Sequence, residues 1–219
     1  MKIRNAITLT LACAALAEGV AAQGFGLGAR IGTIGLGGEA AVALGERVVV
    51  RGGVGFNPVD FDQTFGEIDV TAELPTWYNI GLDAYLNGAL RFGAGVLFKP
   101  DDPTLIGVFT QDQEIGGQTF TPQQIGRMVG VIDYKDQVPY ALIGFGKHTA
   151  PGVGLFVDFG LAFMGEPEFQ LDAVGGSLNS QSGPLRTALD AEEQEFEDDA
   201  GSYLRFWPIL NLGLRIGVG

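Results

Sequence analysis

One cysteine and one histidine occur in the 219 residues. Cys13 falls in an N-terminal leader, so the rest of the chain has no thiol for an internal disulfide, a cysteine metal site or a thiol nucleophile. His148, between Lys147 and Thr149, is expected in an exposed turn. A Ser–His hydrolase would need a serine and an orienting acid beside it. Ser177, Ser180, Ser182 and Ser202 lie in or near a later loop, placed at the opposite end of the fold, so no catalytic residue is assigned. Basic residues are few: 13 Lys and Arg against 26 Asp and Glu, a net charge of −13, which removes the basic footprint that nucleic-acid binding requires. Beyond the leader there is no run of about 18 uninterrupted apolar residues, the length of a membrane-spanning helix.

Other motifs fall short in the same way. Glu192, Glu193, Glu195, Glu197, Asp198 and Asp199 lack the alternate-position spacing of an EF-hand loop, and read as a solvated helix face. Gly35-Leu36-Gly37-Gly38 lacks the lysine of a phosphate loop. No metal and no cofactor is therefore expected.

The leader itself is well formed. Lys2 and Arg4 precede an apolar stretch from Ala6 to Ala17, and Val20-Ala21-Ala22 offers small residues for cleavage before Gln23. Residues 1–22 are expected to be a secretory signal peptide and 23–219 a single domain. A lipoprotein reading through Cys13 fits poorly, since Thr10 stands where a large apolar residue belongs.

What the chain has in quantity is glycine, 35 residues, set inside segments where apolar side chains alternate. Strict alternation places every second side chain on one face of a strand. Phe25, Leu27, Ala29 and Ile31 oppose Gly26, Gly28, Arg30 and Gly32. Ile34 to Leu44 and Val48 to Phe56 repeat the pattern. A long fourth segment keeps one parity from Ile68 to Leu86, setting Glu67, Asp69, Glu73, Trp77 and Asp83 on the other face. Segments at 90–99, 137–145, 153–163 and 204–218 complete eight strands, the sixth being nearly all apolar. Most have the nine to eleven residues of a tilted membrane strand. In lipid every backbone polar group must be paired, so such a sheet must close. The fold expected is a closed antiparallel up-and-down transmembrane β-barrel. Short turns near Gly45-Glu46, Asn87-Gly88 and 147–152 alternate with long connections, as periplasmic turns and external loops do. The tight turn near Thr33-Ile34 is the one short connection expected outside. Thr121-Pro122 predicts a short loop helix to about Met128, and Ser182-Gly183-Pro184 a longer one over Leu185 to Ala200.

With the apolar parity toward lipid, the charges turn inward. The expected lumen network is Arg30, Glu39, Arg51, Glu73, Asp83, Arg91, Asp158, Arg205 and Arg215. A narrow eight-stranded barrel has no room for a wide water column, so these charges need partners across the interior.

The pattern resembles the small Gram-negative outer-membrane barrels, OmpA- or OmpW-like in architecture. More narrowly, it resembles an uncharacterised family of such barrels that open with a segment like Gly28-Ala29-Arg30-Ile31-Gly32-Thr33 and close with an acidic helix and a strand like Phe206-Trp207-Pro208-Ile209-Leu210. The resemblance implies residence in the outer membrane in contact with its lipid, and delivery by periplasmic chaperones and the barrel-assembly machinery. It also implies a terminal aromatic residue, where this chain has Gly217-Val218-Gly219. It brings no catalytic residues. The leading functional expectation is a non-enzymatic barrel, structural or presenting its loops to an extracellular partner. The alternative is a narrow channel or transporter for small or hydrophobic solutes. A lipid-modifying enzyme would need a Ser/His/acid cluster at one interface, which this strand assignment does not supply.

Overall fold

The structure is a computed structural model that describes residues 24–58, 61–65, 68–178 and 180–218. The leader, 1–22, and Glu67 lie outside the described residues. In chain order the first elements are β1 (Phe25–Gly32), β2 (Leu36–Ala43), β3 (Val48–Phe56), β4 (Phe61–Phe65) and β5 (Ile68–Glu73). Then come β6 (Trp77–Asn87), β7 (Leu90–Phe98), β8 (Thr104–Phe109), β9 (Gln113–Ile115) and β10 (Gln118–Phe120). Helix α1 (Pro122–Ile125) leads into β11 (Gly126–Asp133), followed by β12 (Gln137–Phe145), β13 (Gly152–Phe163) and β14 (Glu168–Gly175). Helix α2 (Pro184–Leu204) precedes the last strand, β15 (Phe206–Val218).

Eight of these strands close an antiparallel barrel in the order β1-β15-β13-β12-β7-β6-β3-β2, with β2 returning to β1. First and last strands zip from Phe25↔Val218 to Gly32↔Asn211, which leaves the barrel no free edge in this seam. The alternation is realised as expected. Leu27, Leu82, Leu155, Phe159 and Leu212 are exposed on the outside, while Arg51 and Asp158 are buried within. An exposed apolar belt around a closed sheet matches hydrocarbon, where no polar partner exists for the backbone. Glycine permits close packing inside: a Cβ on Gly213 would sit 2.1 Å from the Phe156 ring.

The short turns gather at one end, and the β1–β2 turn lies at the other. There Thr33 Oγ1 donates to Pro208 O (2.6 Å) and accepts from Leu210 N (2.9 Å), tying the turn to the start of β15.

Beyond that end the wall continues. A five-stranded sheet in the order β14-β11-β8-β5-β4 repeats the barrel order β13-β12-β7-β6-β3, each strand prolonging its barrel neighbour in the chain. This sheet corrects two expectations. The long fourth segment is two strands, β5 and β6, because Pro75 has no N–H for a ladder and sits where the chain passes from the external sheet into the barrel. The long connections, expected as loops with helix, are mostly strand. β8 and β11 escape a period-two reading because both of their faces are apolar: Ile106 and Val108 back Leu105 and Phe109.

Both helices form, with altered ends. Thr121 Oγ1 accepts from Gln124 N (3.3 Å) while Thr121 N donates to Gln124 Oε1 (2.8 Å), a reciprocal cap. α1 stops at Ile125 rather than Met128, as Gly126 turns at φ +75° into β11. α2 runs to Leu204, and its apolar stripe of Leu185, Leu189 and Phe196 packs on Phe169, Leu171 and Ala173 of β14.

α2 also settles what its acids do. β14 is an edge strand whose free backbone groups would otherwise be unpaired. Glu197 accepts from Phe169 N (2.9 Å) and Glu193 from Leu171 N (2.6 Å), while Arg186 donates to Leu171 O (2.8 Å). Arg186 in turn holds Glu193 at 2.8 Å and Asp190 at 2.7 Å. The helix thus supplies the hydrogen bonds of a missing neighbour strand. Glu193→Ala should loosen this edge by about 1–3 kcal/mol. Amide exchange at Leu171 should then quicken, while exchange within β15 is unchanged.

Candidate functional site in the barrel interior

The inward face carries charges from many strands to one level near the short-turn end. Asp158 of β13 lies 2.7 Å from Arg51 of β3 and is also paired with Arg91 of β7. Arg51 reaches Asp83 of β6 and Glu39 of β2, each at 3.4 Å. Arg91 stands 3.5 Å from Asp83, and Arg30 of β1 3.5 Å from Glu39. Arg30 donates to Asn79 Oδ1 as well, at 2.8 Å. Three guanidiniums thus meet three carboxylates, all with side chains at most 2% exposed. A charge so desolvated persists only with partners, and here the two signs balance.

Of the nine residues expected in this network, these six come together. Arg215 is inward and buried but pairs with no acid among the described residues; it donates to the carbonyls of Ala150 and, at 3.0 Å, Gly152 in the β12–β13 turn. Glu73 and Arg205 are corrections. Glu73 ends β5, above the Pro75 break, and is exposed on the external sheet. Arg205 caps the C-terminus of α2 instead of starting β15, and pairs with Glu166 at 2.7 Å outside the barrel. Both have the inward parity of a strand that ends before it reaches them.

His148 is a further correction. It is 1% exposed rather than a surface turn residue. The β12–β13 turn folds into the barrel mouth, helped by Gly146 at φ +110° and by Gly26, where a Cβ would lie 2.0 Å from His148 O. The imidazole Nε2 meets Glu39 Oε1 at 2.7 Å, and the ring packs on Phe156 with centroids 4.6 Å apart. His148 N donates to the Tyr85 hydroxyl at 3.0 Å. Nothing in the local sequence marks this burial; it follows from the inward fold of the turn.

Above the charges, toward the external sheet, the interior is apolar. Trp77, Leu97, Val138, Tyr140, Leu142 and Ile209 fill it, and Trp207 packs against Trp77 at 5.5 Å. Between the layers a void of about 10 Å³ remains, lined by Arg30, Tyr140 and Asn211 among others. That is at the lower limit of what one water molecule needs. At the rim, Lys99 is buried and donates to Tyr134 O (2.9 Å) and to Asp102. Burial, with Asp102 adding its charge, pushes the Tyr134 phenol up to about 12. It therefore stays protonated and donates to Leu204 O at 3.1 Å, latching the end of α2 to the barrel. At the short-turn end a recess of about 450 Å³, open to solvent, is bordered by Arg47, Lys147 and Asn87, with Tyr85 on its inner side.

A closed sheet with hydrocarbon-matching side chains outside and paired charges inside defines a transmembrane β-barrel, and the architecture is that of the eight-stranded outer-membrane barrels. Solved structures of the same kind exist. The crystal structure of CarO from Acinetobacter baumannii superposes with a TM-score of 0.58 at 19% identity, covering 87% of this chain and 96% of that one. Acinetobacter baumannii CarO2 gives 0.60 at 20% identity, covering 89% and 98%. No protein-family model matches the chain, and no curated protein does. The shared feature is therefore the fold.

Proposed function

We propose that this protein is a non-enzymatic outer-membrane barrel, closed to solutes, that carries a folded five-stranded cap at the cell surface for interaction with an extracellular partner. Its periplasmic chaperones and the barrel-assembly machinery would be those of its architectural class. The observation that carries this reading is the interior: three balanced guanidinium–carboxylate pairs under an apolar layer, with about 10 Å³ between them. A permeant hydrated ion would have to separate charges whose mutual attraction is strong in a low-dielectric centre. A wall prolonged by five strands and braced by α2 supports display, since it holds its outer surface on rigid elements rather than on loops. Purified protein in planar bilayers should give no stable conductance steps under applied voltage. Reproducible open-channel currents would overturn the closed barrel. They would favour a narrow solute pathway starting at the recess beside Arg47 and Lys147, which is the second reading.

A further inference from the structure

On one face of the five-stranded sheet α2 packs against β14. There Leu185, Ala188 and Leu189 bury Leu171 and Ala173. Beside the helix, β5 and β8 leave a groove of about 270 Å³ walled by Ile68, Val70, Phe109 and Met128 and floored by Gly107 and Gly130. Among the described residues no charged side chain lines it. The volume lies just under the range of small-ligand pockets, about 300–1,000 Å³, which suits one slim chain.

Gly107 is the informative residue. Many inward-facing glycines of the barrel are enforced by crowding: a Cβ on Gly37 would lie 1.8 Å from Val54 O, and on Gly81 2.2 Å from the Tyr140 hydroxyl, whereas the uncrowded Gly38 and Gly52 have the parity of the outward face. At Gly107 the backbone has no left-handed φ, and a Cβ would meet only Phe109 and Ile68, at the ordinary distances of 3.7 and 3.8 Å. Neither conformation nor internal packing calls for glycine there. Its effect is to keep the groove floor open.

The surroundings specify the head of the occupant. Outside the barrel strands, residues 57–76, 99–136 and 164–205 hold 21 of the 26 acidic residues but 5 of the 13 basic ones. Phe196 of α2 stacks at 4.1 Å on Phe169, which lines the groove, so the helix borders it. Glu195 and Asp199 flank Phe196, are exposed, and make no ion pair among the described residues. Acids on a helix beside an apolar trough attract cations and disfavour anions.

We propose that this groove binds a cationic amphiphile, its aliphatic chain lying over Gly107 and Gly130 and its ammonium held at the acidic border of α2. The inference deepens the surface-interaction reading by naming the chemistry of a ligand for the cap.

The test uses a decylammonium probe bearing a diazirine on its chain, with the full protein in phosphatidylcholine vesicles and the alkyl carboxylate of equal length as comparison. After irradiation, mass spectrometry should place adducts in 105–109 and 128–130. Gly107→Leu should lower that labelling about tenfold, as expected when two methylenes lose their burial. Val70→Trp, which fills the groove from another strand, should do the same, and heat-modifiable migration checks that both variants are folded. Glu195→Gln with Asp199→Asn should weaken labelling by the ammonium and leave the carboxylate unaffected. Equal labelling of the filled variants, equal labelling by ammonium and carboxylate, or adducts confined to the outward leucines of the barrel would each overturn the proposal. Conductance in planar bilayers alongside intact groove labelling would sink the closed-barrel reading and leave this one standing.

Discussion

Asp158→Ala should cost about 3–5 kcal/mol of folded stability. Asp158 is the carboxylate that Arg51 and Arg91 share, at 2.7 Å to Arg51, with its side chain fully buried. Its removal leaves two buried guanidiniums without the carboxylate they share. Asp83 and Glu39 compensate only in part, at 3.4–3.5 Å. Urea unfolding in lipid vesicles, followed by tryptophan emission, measures the effect directly, because Trp77 and Trp207 lie in the layer above. Asp158→Asn should lie between wild type and alanine, since it keeps the shape and loses the charge. Asp198→Ala, on the exposed side of α2, should change stability by no more than about 0.5 kcal/mol. A loss below about 1 kcal/mol for Asp158→Ala would mean that water reaches the arginines, and the closed interior would be wrong.

A comparable loss is expected from a residue with no side chain at all. A Cβ at Gly213 would stand 2.1 and 2.3 Å from the Phe156 ring and 2.7 Å from Ala29 O. Phe156 has little room to move, because it is buried and packed against His148. Gly213→Val should therefore destabilise the barrel by about 3 kcal/mol or stop it assembling, which is the upper range for overpacking. Phe156→Ala alone should cost about 3–5 kcal/mol through the cavity it leaves. Combined, the two should cost clearly less than their sum, as the new methyl groups occupy the space the ring vacates. Additive losses would show that Gly213 and Phe156 do not meet in the folded barrel.

The legible part of this protein was the part where a face meets a uniform medium. Leu27, Leu82 and Leu212 alternate with arginine, acid or glycine because one side of each strand touches hydrocarbon throughout its length, and that repetition survives in the residue order. The cap is harder to read. β8 and β11 carry apolar residues on both faces, and β5 continues the parity of β6 across Pro75, so alternation neither announces the first two nor separates the last. β14, with Phe169, Leu171 and Ala173 opposing Glu168, Gln170 and Asp172, does alternate, and was hidden only by its place in a long connection. The shared surface of α2 and β14 also gives a role to two of the acids on that helix: Glu193 and Glu197 cap a strand edge that the residue order does not reveal.

Inside the barrel the division follows from geometry. Parity settles which side chains turn inward, because the period of a strand is two wherever it runs; that much the residue order determined for Arg30, Glu39, Arg51, Asp83, Arg91 and Asp158. Depth along the barrel and choice of partner depend on register between strands distant in the chain. Only the tertiary structure could bring Asp158 to Arg51 across 107 positions, send Glu73 and Arg205 outside, and fold the His148 turn back onto Glu39. An ion pair needs two atoms within a few ångströms, and a strand's own sequence sets the direction of a side chain without setting what faces it.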